Sequence, residues 1–443
     1  MGWTQVSQRR WERPVNGIEG YFTVLRNMIA PLCGGREHFT LFAKVKVEID
    51  VSDAEGALRH AWKQIRYEQP QIATVVEDMK KVYEVPDETG LEEWLRATFI
   101  VSSASDAEEL YRRAEPVSRA TLYYVPLSSE ILVRIPHYTI DAIGMLLLLH
   151  SYFRALENPA KDVRFGDEYT RLAPAVEDTL GQPEEPTPEQ LKEAIDTARQ
   201  WTREMPGIGP VSKAGKAPSG QSQNLEEVYS KEMTQRIVER CKEKGVTVTS
   251  AVHGAYIWML RKYADPTGNL SRYVTAASIN LRPYLAEPYG SSQYAASVYY
   301  AIISWAFDMP ETYWDGVRLL NEKYQTAIKG NPVALEKSSH FTRGLCEVVQ
   351  TPEFLANAVA RDALPSSLGI VEQYLQRTYG SNIAVQDFKL GVDIVQGMCL
   401  LCIYTFNDQL RLVYNFNEGF EGASDIRRYL DEMKEVLERE LLG

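Results

Sequence analysis

The chain has 443 residues, of which 44% are hydrophobic and 24% charged, and its formal net charge is −12. A chain of this length exceeds one ordinary hydrophobic core, so two domains are predicted, and the composition is that of a globular protein. Binding to a phosphate backbone requires a basic face, and the acidic balance therefore argues against nucleic acid as a partner.

Cysteine usage and hydropathy indicate the compartment. The five cysteines are scattered, and Cys399-x-x-Cys402 lies in an apolar run without the second pair or the histidines of a zinc site. Buried thiols in a reducing compartment are expected, and no bound metal. The first residues show no apolar signal core, and no apolar run approaches the length of a membrane span. A soluble cytoplasmic protein without a membrane partner is the expectation.

The first part of the chain predicts a mixture of strands and helices. Residues 40–50 alternate apolar and polar side chains as in a strand. Ser52 and Glu55 have the spacing of a capping box, which predicts a helix that ends before Pro70.

The most informative stretch runs from residue 121 to 156. Strands are predicted at 121–125 and 131–135, and they are followed by His137-x-x-x-Asp141 and a helix with almost no polar face. A histidine is thus delivered at the end of a strand beside a buried helix, where catalytic groups are commonly held. The alternative roles are an ordinary turn residue for His137 and a helix N-cap for Asp141.

A change of composition marks the predicted domain crossover. From about residue 157 to 221 the chain is rich in Pro, Gly, Ser and Gln, apart from a helical pattern at 187–203. The prediction is an N-terminal subdomain at 1–165, a crossover linker at 166–221 and a C-terminal subdomain at 222–443.

The second half repeats the α/β character of the first without a sequence repeat. A strand is predicted near 224–229 and a helix near 231–243, and Thr247 or Thr249 would cap the next helix. A long strand is expected at 294–307. Residues 385–406 and 409–417 have the pattern of a strand pair, and an amphipathic helix follows.

Several segments in this order resemble the HxxxD acyltransferase superfamily, which includes chloramphenicol acetyltransferase, plant BAHD acyltransferases and the condensation domains of nonribosomal peptide synthetases. The similarity is greatest to fungal enzymes of the trichothecene O-acetyltransferase type. The matching segments are LRHAWKQIRYEQPQIAT, RIPHYTIDAIGMLLLLHSYF, GVTVTSAVHGAY, NLRPYL, SSLGIVEQYL, DFKLGVDI and FNEGF.

Some positions depart from the family patterns. Pro136 precedes His137 where condensation domains usually carry a second histidine, and Ala142 replaces the glycine after Asp141. The BAHD signature DFGWG is present only as DFKLG, from Asp387. These departures argue against peptide-bond condensation and strict BAHD membership, and they leave the histidine intact.

The resemblance implies an α/β fold of two chloramphenicol-acetyltransferase-like subdomains with a tunnel between them and His137 at mid-tunnel. It implies an acyl-CoA co-substrate, a small-molecule acceptor and no permanently bound cofactor, and a monomer is expected. His137 would act as general base, since an unperturbed imidazole with a pKa of about 6.5 suits that task. Asp141 would turn away from the tunnel and pair with Arg282.

Three functions remain open at this point. The first is transfer of an acyl group, acetyl in the simplest case, from CoA to a hydroxyl of a natural product. The second is a condensation or cyclisation in secondary metabolism without acyl-CoA, and the third is a binding protein that keeps only the fold. The sequence does not assign substrate-binding residues, the acceptor or the acyl length; Asn417 and Ser304 are candidate oxyanion donors.

Overall fold

The structure, a computed structural model, describes residues 2–183, 185–213, 219–329, 331–356 and 363–443. In these ranges the strands are β1 (Thr4–Gln5), β2 (Arg10–Pro14), β3 (Thr40–Ile49), β4 (Val75–Glu77), β5 (Lys80–Glu84), β6 (Phe99–Val101), β7 (Thr121–Val125), β8 (Glu130–Pro136), β9 (Ser222–Val228), β10 (Arg272–Asn280), β11 (Tyr300–Asp308), β12 (Ala363–Ile370), β13 (Thr378–Tyr379), β14 (Ile383–Val392), β15 (Cys399–Phe406) and β16 (Gln409–Asn417). The α-helices there are α1 (Gly17–Ile29), α2 (Ala54–Glu68), α3 (Glu88–Thr98), α4 (Ala107–Arg113), α5 (Ala142–Glu157), α6 (Val176–Thr179), α7 (Pro188–Arg203), α8 (Lys231–Glu243), α9 (Val248–Tyr263), α10 (Tyr313–Thr326), α11 (Pro332–Val349), α12 (Pro352–Ala356) and α13 (Ala423–Val436).

The chain forms two compact units, as predicted, and each is built from more than one segment. The first unit comprises Met1–Glu185, Asn280–Tyr300 and Val371–Val392. The second comprises Pro186–Ile279, Ala301–Ile370 and Asp393–Gly443.

The first unit is organised around a six-stranded sheet in the order β13-β14-β3-β8-β7-β6. All neighbours are antiparallel except β6 and β7. β8 lies inside the sheet between β3 and β7, so its register is held on both sides. The end of β8 is therefore a rigid support for the turn that follows it.

Helix α5 is apolar on nearly every side because it is packed inside the first unit. Ten of its residues are buried, among them Leu146, Leu149 and Phe153. Its ends are nevertheless marked by polar signals, since Asp141 is the N-cap and Arg154 lies in the last turn. The predicted buried helix is confirmed.

The second unit has its own core. A four-stranded sheet in the order β12-β15-β16-β9 packs with helices α9, α10 and α13, and its buried residues include Tyr256, Leu412 and Met433. Most of β10 and β11, which pair with each other, also belong here. Both units thus have α/β character, as the sequence predicted.

The observed units differ from the predicted contiguous boundaries of 1–165, 166–221 and 222–443. Residues 166–185 belong to the first unit, and so do 280–300 and 371–392. Residues 371–392 join the first unit because β14 pairs along its length with β3, although β14 lies late in the chain. Part of the predicted linker, 214–218, lies outside the described residues, and the predicted tunnel stays a prediction.

Several local boundaries also differ. The N-cap of α2 is Asp53, whose carboxylate accepts from Gly56 N at 2.9 Å, and the Ser52 capping box is therefore wrong. The strand expected at 294–307 begins only at Tyr300, because the preceding residues turn to make side-chain contacts described below. Thr247 is the cap of α9, and the predicted helix at 231–243 is confirmed by α8.

Each helix in the described ranges falls short of the length or the apolar character needed to cross a membrane. All five cysteines lie in the described ranges and none forms a disulfide, and Cys399 and Cys402 are buried on β15.

Candidate active site

His137 directly follows β8 and opens a tight turn. Pro136, the last residue of β8, pairs with Thr40 at the start of β3, and its carbonyl accepts from Thr139 N at 2.9 Å. Proline at this position keeps its fixed φ and needs no hydrogen-bond donor of its own. The histidine is therefore presented at a sheet end whose backbone is held in place.

The tautomer of His137 follows from one hydrogen bond. Its Nδ1 lies 2.9 Å from the carbonyl oxygen of Ile140. A carbonyl oxygen can only accept, so Nδ1 carries the hydrogen and the lone pair of the neutral ring is on Nε2. A neutral imidazole in this form can accept a proton from a substrate at Nε2.

Three aromatic rings surround the imidazole. Phe22 of α1 stacks on it with ring centroids 4.1 Å apart and planes 12° apart. Tyr300 lies beside it at 5.7 Å, and Phe39 approaches edge-on at 6.5 Å. Burial by these groups lowers the pKa of His137 to about 4, although its hydrogen bonds and the charge of Asp141 act in the opposite direction. The ring is therefore neutral at physiological pH.

The carboxylate of Asp141 has four hydrogen bonds inside the first unit. Oδ1 accepts from Gly144 N at 2.7 Å, which caps α5, and Oδ2 accepts from Tyr299 N at 2.7 Å. Arg282 Nη1 donates to both oxygens, at 2.9 and 2.8 Å. The sequence predicted for Asp141 either a helix N-cap or an ion pair with Arg282, and in the structure Asp141 makes both contacts.

Arg282 connects the segment 280–300 to the histidine turn. Its Nη2 donates to Ser297 Oγ at 3.0 Å, and that hydroxyl donates to the carbonyl of Tyr294 at 2.7 Å. Ser297 O in turn accepts from Asp141 N at 3.0 Å. A buried charge needs such a counter-charge, because an isolated one is costly.

Gly144 allows this close packing. A Cβ on Gly144 would collide with the carbonyl oxygen of Ala295 and would lie 3.0 Å from Arg282 Nη2. The glycine that the family motif places directly after the aspartate is Ala142 here. The contacts show that a small residue is needed two positions later, at Gly144, where α5 packs against Arg282.

The structure brings together the sequence-predicted residues His137, Asp141 and Arg282, and it adds Phe22 and Tyr300. Phe22 lies more than 100 residues before the motif, within an unremarkable amphipathic helix. The sequence placed Tyr300 only within the long strand predicted at 294–307. Nothing in their sequence neighbourhood indicated contact with the histidine, and only the folded chain reveals it.

The two candidate oxyanion donors named from sequence, Asn417 and Ser304, belong to the second unit. Asn417 Nδ2 donates to the carbonyls of Gly220 and Ile394, at 2.9 and 3.0 Å, and its Oδ1 accepts from Gly419 N. The amide is therefore committed to holding loops of the second unit. Ser304 is half-buried on β11.

Comparisons with known proteins extend over the whole chain. The chain is 28% identical over 450 residues to the O-acetyltransferase pigM of Monascus ruber, covering 100% of this chain and 87% of the relative. It is 27% identical to the acetyltransferase pigO of the same fungus, covering 100% of this chain and 98% of the relative. No family model matches.

Among solved structures, the fold is similar to that of TRI3 trichothecene 15-O-acetyltransferase from Fusarium sporotrichioides. The TM-score is 0.83 at 16% identity, and the match covers 98% of this chain and 96% of the other. The motif, its paired aspartate and arginine, and this likeness of fold agree with one another. The chain is thus similar along its whole length to two fungal acetyltransferases, and its fold is similar to that of a trichothecene O-acetyltransferase.

Proposed function

We propose that this protein transfers an acetyl group from acetyl-CoA to a hydroxyl of a small natural product, with His137 as the general base. The observation that carries the proposal is the hydrogen bond from Nδ1 to the Ile140 carbonyl, which leaves a neutral imidazole with its lone pair on Nε2. The acetyltransferases similar to the chain over its whole length support the same reaction type.

The reaction needs one proton carrier and no protein nucleophile. Nε2 of His137 takes the proton of the acceptor hydroxyl as its oxygen attacks the thioester carbonyl carbon. The carbonyl π electrons move to oxygen and form a tetrahedral intermediate. When the intermediate collapses, the C–S bond breaks and the imidazolium returns the proton to the thiolate. Positioned base catalysis of this kind contributes about 10²–10⁴ in rate.

Asp141 acts in this scheme as a positioning residue. Its carboxylate is committed to Gly144, Tyr299 and Arg282, so it holds the turn and the start of α5 and does not touch the substrate. The catalytic role of the motif then rests on His137 alone.

The remaining properties belong to the same proposal. Acetyl-CoA serves as a co-substrate, no permanently bound cofactor is needed, and the enzyme works as a monomer. A reducing, cytoplasmic location is supported by the five cysteines, none of which forms a disulfide in the described ranges.

The test is transfer activity with matched histidine variants. Purified protein is incubated with acetyl-CoA and a panel of hydroxylated fungal polyketides, and acetylated products are detected by mass spectrometry. His137→Ala and His137→Asn should lose about 10²–10⁴ in turnover. His150→Asn, which changes a half-buried histidine on α5 that bonds to Tyr379, should retain it.

Two outcomes would redirect the assignment. A His137 variant with wild-type turnover would refute the general-base mechanism. Failure of the wild-type protein to bind acetyl-CoA in calorimetry would favour the condensation or cyclisation alternative.

A further inference from the structure

The hydroxyl of Tyr300 differs from the hydroxyls of nearby tyrosines. Tyr299 Oη donates to the carbonyl of Pro174 at 3.1 Å, and Tyr138 Oη donates to that of Ser118 at 3.3 Å. Within the described ranges Tyr300 Oη has no such partner. A tyrosine hydroxyl in a shielded place normally finds one. Tyr300, whose ring neighbours the imidazole of the candidate base, therefore has a hydroxyl that is available to a ligand.

The position of Tyr300 depends on the same carboxylate that orders the histidine turn. Tyr299 N donates to Asp141 Oδ2 at 2.7 Å, and Tyr299 O accepts from Leu281 N at 3.0 Å. The residue directly before Tyr300 is thus held on both sides of its backbone. Asp141 consequently sets the positions of two side chains, the imidazole of His137 and the phenol of Tyr300.

The two rings lie close together in a mainly aromatic environment. Their centroids are 5.7 Å apart with planes at 27°, and Phe22 lies 6.5 Å from Tyr300. Burial raises the pKa of Tyr300 well above its ordinary value, and the charge of Asp141 and the nearby Tyr21 add to the effect. The phenol therefore stays protonated at every working pH and remains a hydrogen-bond donor.

We propose that the hydroxyl of Tyr300 is the donor that stabilises the oxyanion of the tetrahedral intermediate. This inference rests on the proposed acyl transfer. The oxyanion forms when the acceptor oxygen bonds to the thioester carbon and the carbonyl π pair moves to oxygen. Tyr300 O–H then donates a hydrogen bond without giving up its proton, and the bond weakens again when the thiolate leaves and the carbonyl re-forms. A fixed donor aimed at developing charge lowers the barrier more than it strengthens ground-state binding.

The experiment compares two substitutions that each remove one hydroxyl. Tyr300→Phe keeps the ring beside His137, whereas Tyr152→Phe removes a hydroxyl on α5 that donates to the Leu58 carbonyl at 3.1 Å. The donor is acetyl-CoA, and the acceptor is the alcohol of the polyketide panel that the wild-type enzyme acetylates fastest. Thiol release and the melting temperature are measured for each variant.

The two variants should show opposite effects. Tyr300→Phe should lower kcat by about 10²-fold, as loss of an oxyanion donor does, with KM for acetyl-CoA within about two-fold. Its melting temperature should not fall, since the hydroxyl has no partner among the described residues. Tyr152→Phe should lower the melting temperature, because it loses a buried hydrogen bond, and should keep kcat.

Each other outcome overturns the assignment. Unchanged kcat in Tyr300→Phe would mean that the hydroxyl has no role in the reaction. A change confined to KM would assign it a binding role, and an unfolded variant would assign it a structural role. These outcomes leave the proposed acyl transfer standing as long as the wild-type enzyme turns over. Absence of thiol release by the wild-type enzyme with every acceptor would overturn the proposed function and the Tyr300 assignment together.

Discussion

Arg282 Nη1 donates to both carboxylate oxygens of Asp141, at 2.9 and 2.8 Å, although 141 positions separate the two residues in the chain. Their side chains are only 4% and 5% exposed. Asp141→Asn keeps the size of the side chain and leaves a buried guanidinium without its counter-charge. We expect this change to lower the free energy of unfolding by about 3–5 kcal/mol, measured by urea denaturation.

The control for this pair is an exposed one on the same helix. Arg154 and Glu157 are 2.8 Å apart with side chains 55% and 21% exposed. Glu157→Gln should change the free energy of unfolding by less than about 1 kcal/mol. If Asp141→Asn is no worse than Glu157→Gln, the buried pair does not hold the turn.

The acid limb of the pH–rate profile should report the unusual pKa of His137. Burial among aromatic rings lowers this pKa to about 4, so Nε2 remains able to accept a proton well below pH 6.5. We expect kcat/KM to rise with pH around a midpoint near 4 and then to stay level through neutrality. A midpoint at or above 6.5 would contradict the environment described here. His137→Ala should abolish the limb within the pH range where circular dichroism remains native.

Phe22 should influence both the position and the basicity of His137. Phe22→Leu removes a ring stacked at 4.1 Å and admits water to the imidazole face. The imidazolium is then better solvated, so the pKa of His137 and the midpoint of the acid limb should move up towards 6.5. Turnover should fall by about ten-fold as the ring loses its fixed orientation. Phe153→Leu, a buried change on α5 next to Tyr379, should lower stability without moving the limb.

Gly144 and Ala142 provide a matched pair of small residues. Gly144→Ala would place a Cβ against the carbonyl oxygen of Ala295 and close to Arg282, so we expect it to cost about 1–3 kcal/mol of unfolding free energy. Ala142→Gly restores the motif's usual residue at the half-buried first position of α5 and should cost no more than about 1 kcal/mol. Equal effects of the two changes would show that the close approach at Gly144 is not limiting.

His253 predicts acid sensitivity of the second unit. Its Nδ1 lies 3.1 Å from Tyr324 Oη and its Nε2 lies 2.8 Å from Tyr273 Oη. Burial lowers the pKa of His253 to about 3, below the value of about 6.5 in an unfolded chain. The unfolded state therefore binds the extra proton between these pH values, and stability present above pH 6.5 is lost as the pH falls towards 3.

The measurement is the pH dependence of unfolding. One proton taken up only by the unfolded state changes the free energy of unfolding by about 1.4 kcal/mol per pH unit. Between pH 6 and 4, His253→Gln should make the dependence of the unfolding free energy on pH shallower by up to about 1.4 kcal/mol per pH unit. An unchanged slope would mean that His253 does not contribute to acid unfolding.

Local patterns in the sequence predicted much of the fold. The strand at 121–125 has the observed bounds of β7, and 231–243 has those of α8. Hydrophobic periodicity and caps act over a few residues, and the sequence displays them directly. The two-unit α/β organisation and the motif at His137 and Asp141 followed from such patterns and from the family resemblance.

What was missed depends on contacts between distant residues. Residues 385–406 were predicted as one arm of a strand pair, yet they contain β14 in the first unit and β15 in the second. Alternation of apolar side chains shows that a strand is half-buried and not which strand it pairs with. The stacking of Phe22 on His137 could not be predicted for the same reason, since the tertiary fold decides which distant side chains become neighbours in a site.

The three-segment composition of the first unit has a consequence for protein synthesis. On the ribosome, residues 1–185 emerge without the guanidinium that neutralises Asp141 and without β14, the neighbour of β3. The sheet can be completed only when Val392 has left the exit tunnel, after most of the chain has been translated. The edge of β3 that β14 covers therefore stays without that partner for much of synthesis, and an unpaired strand edge is a template for aggregation.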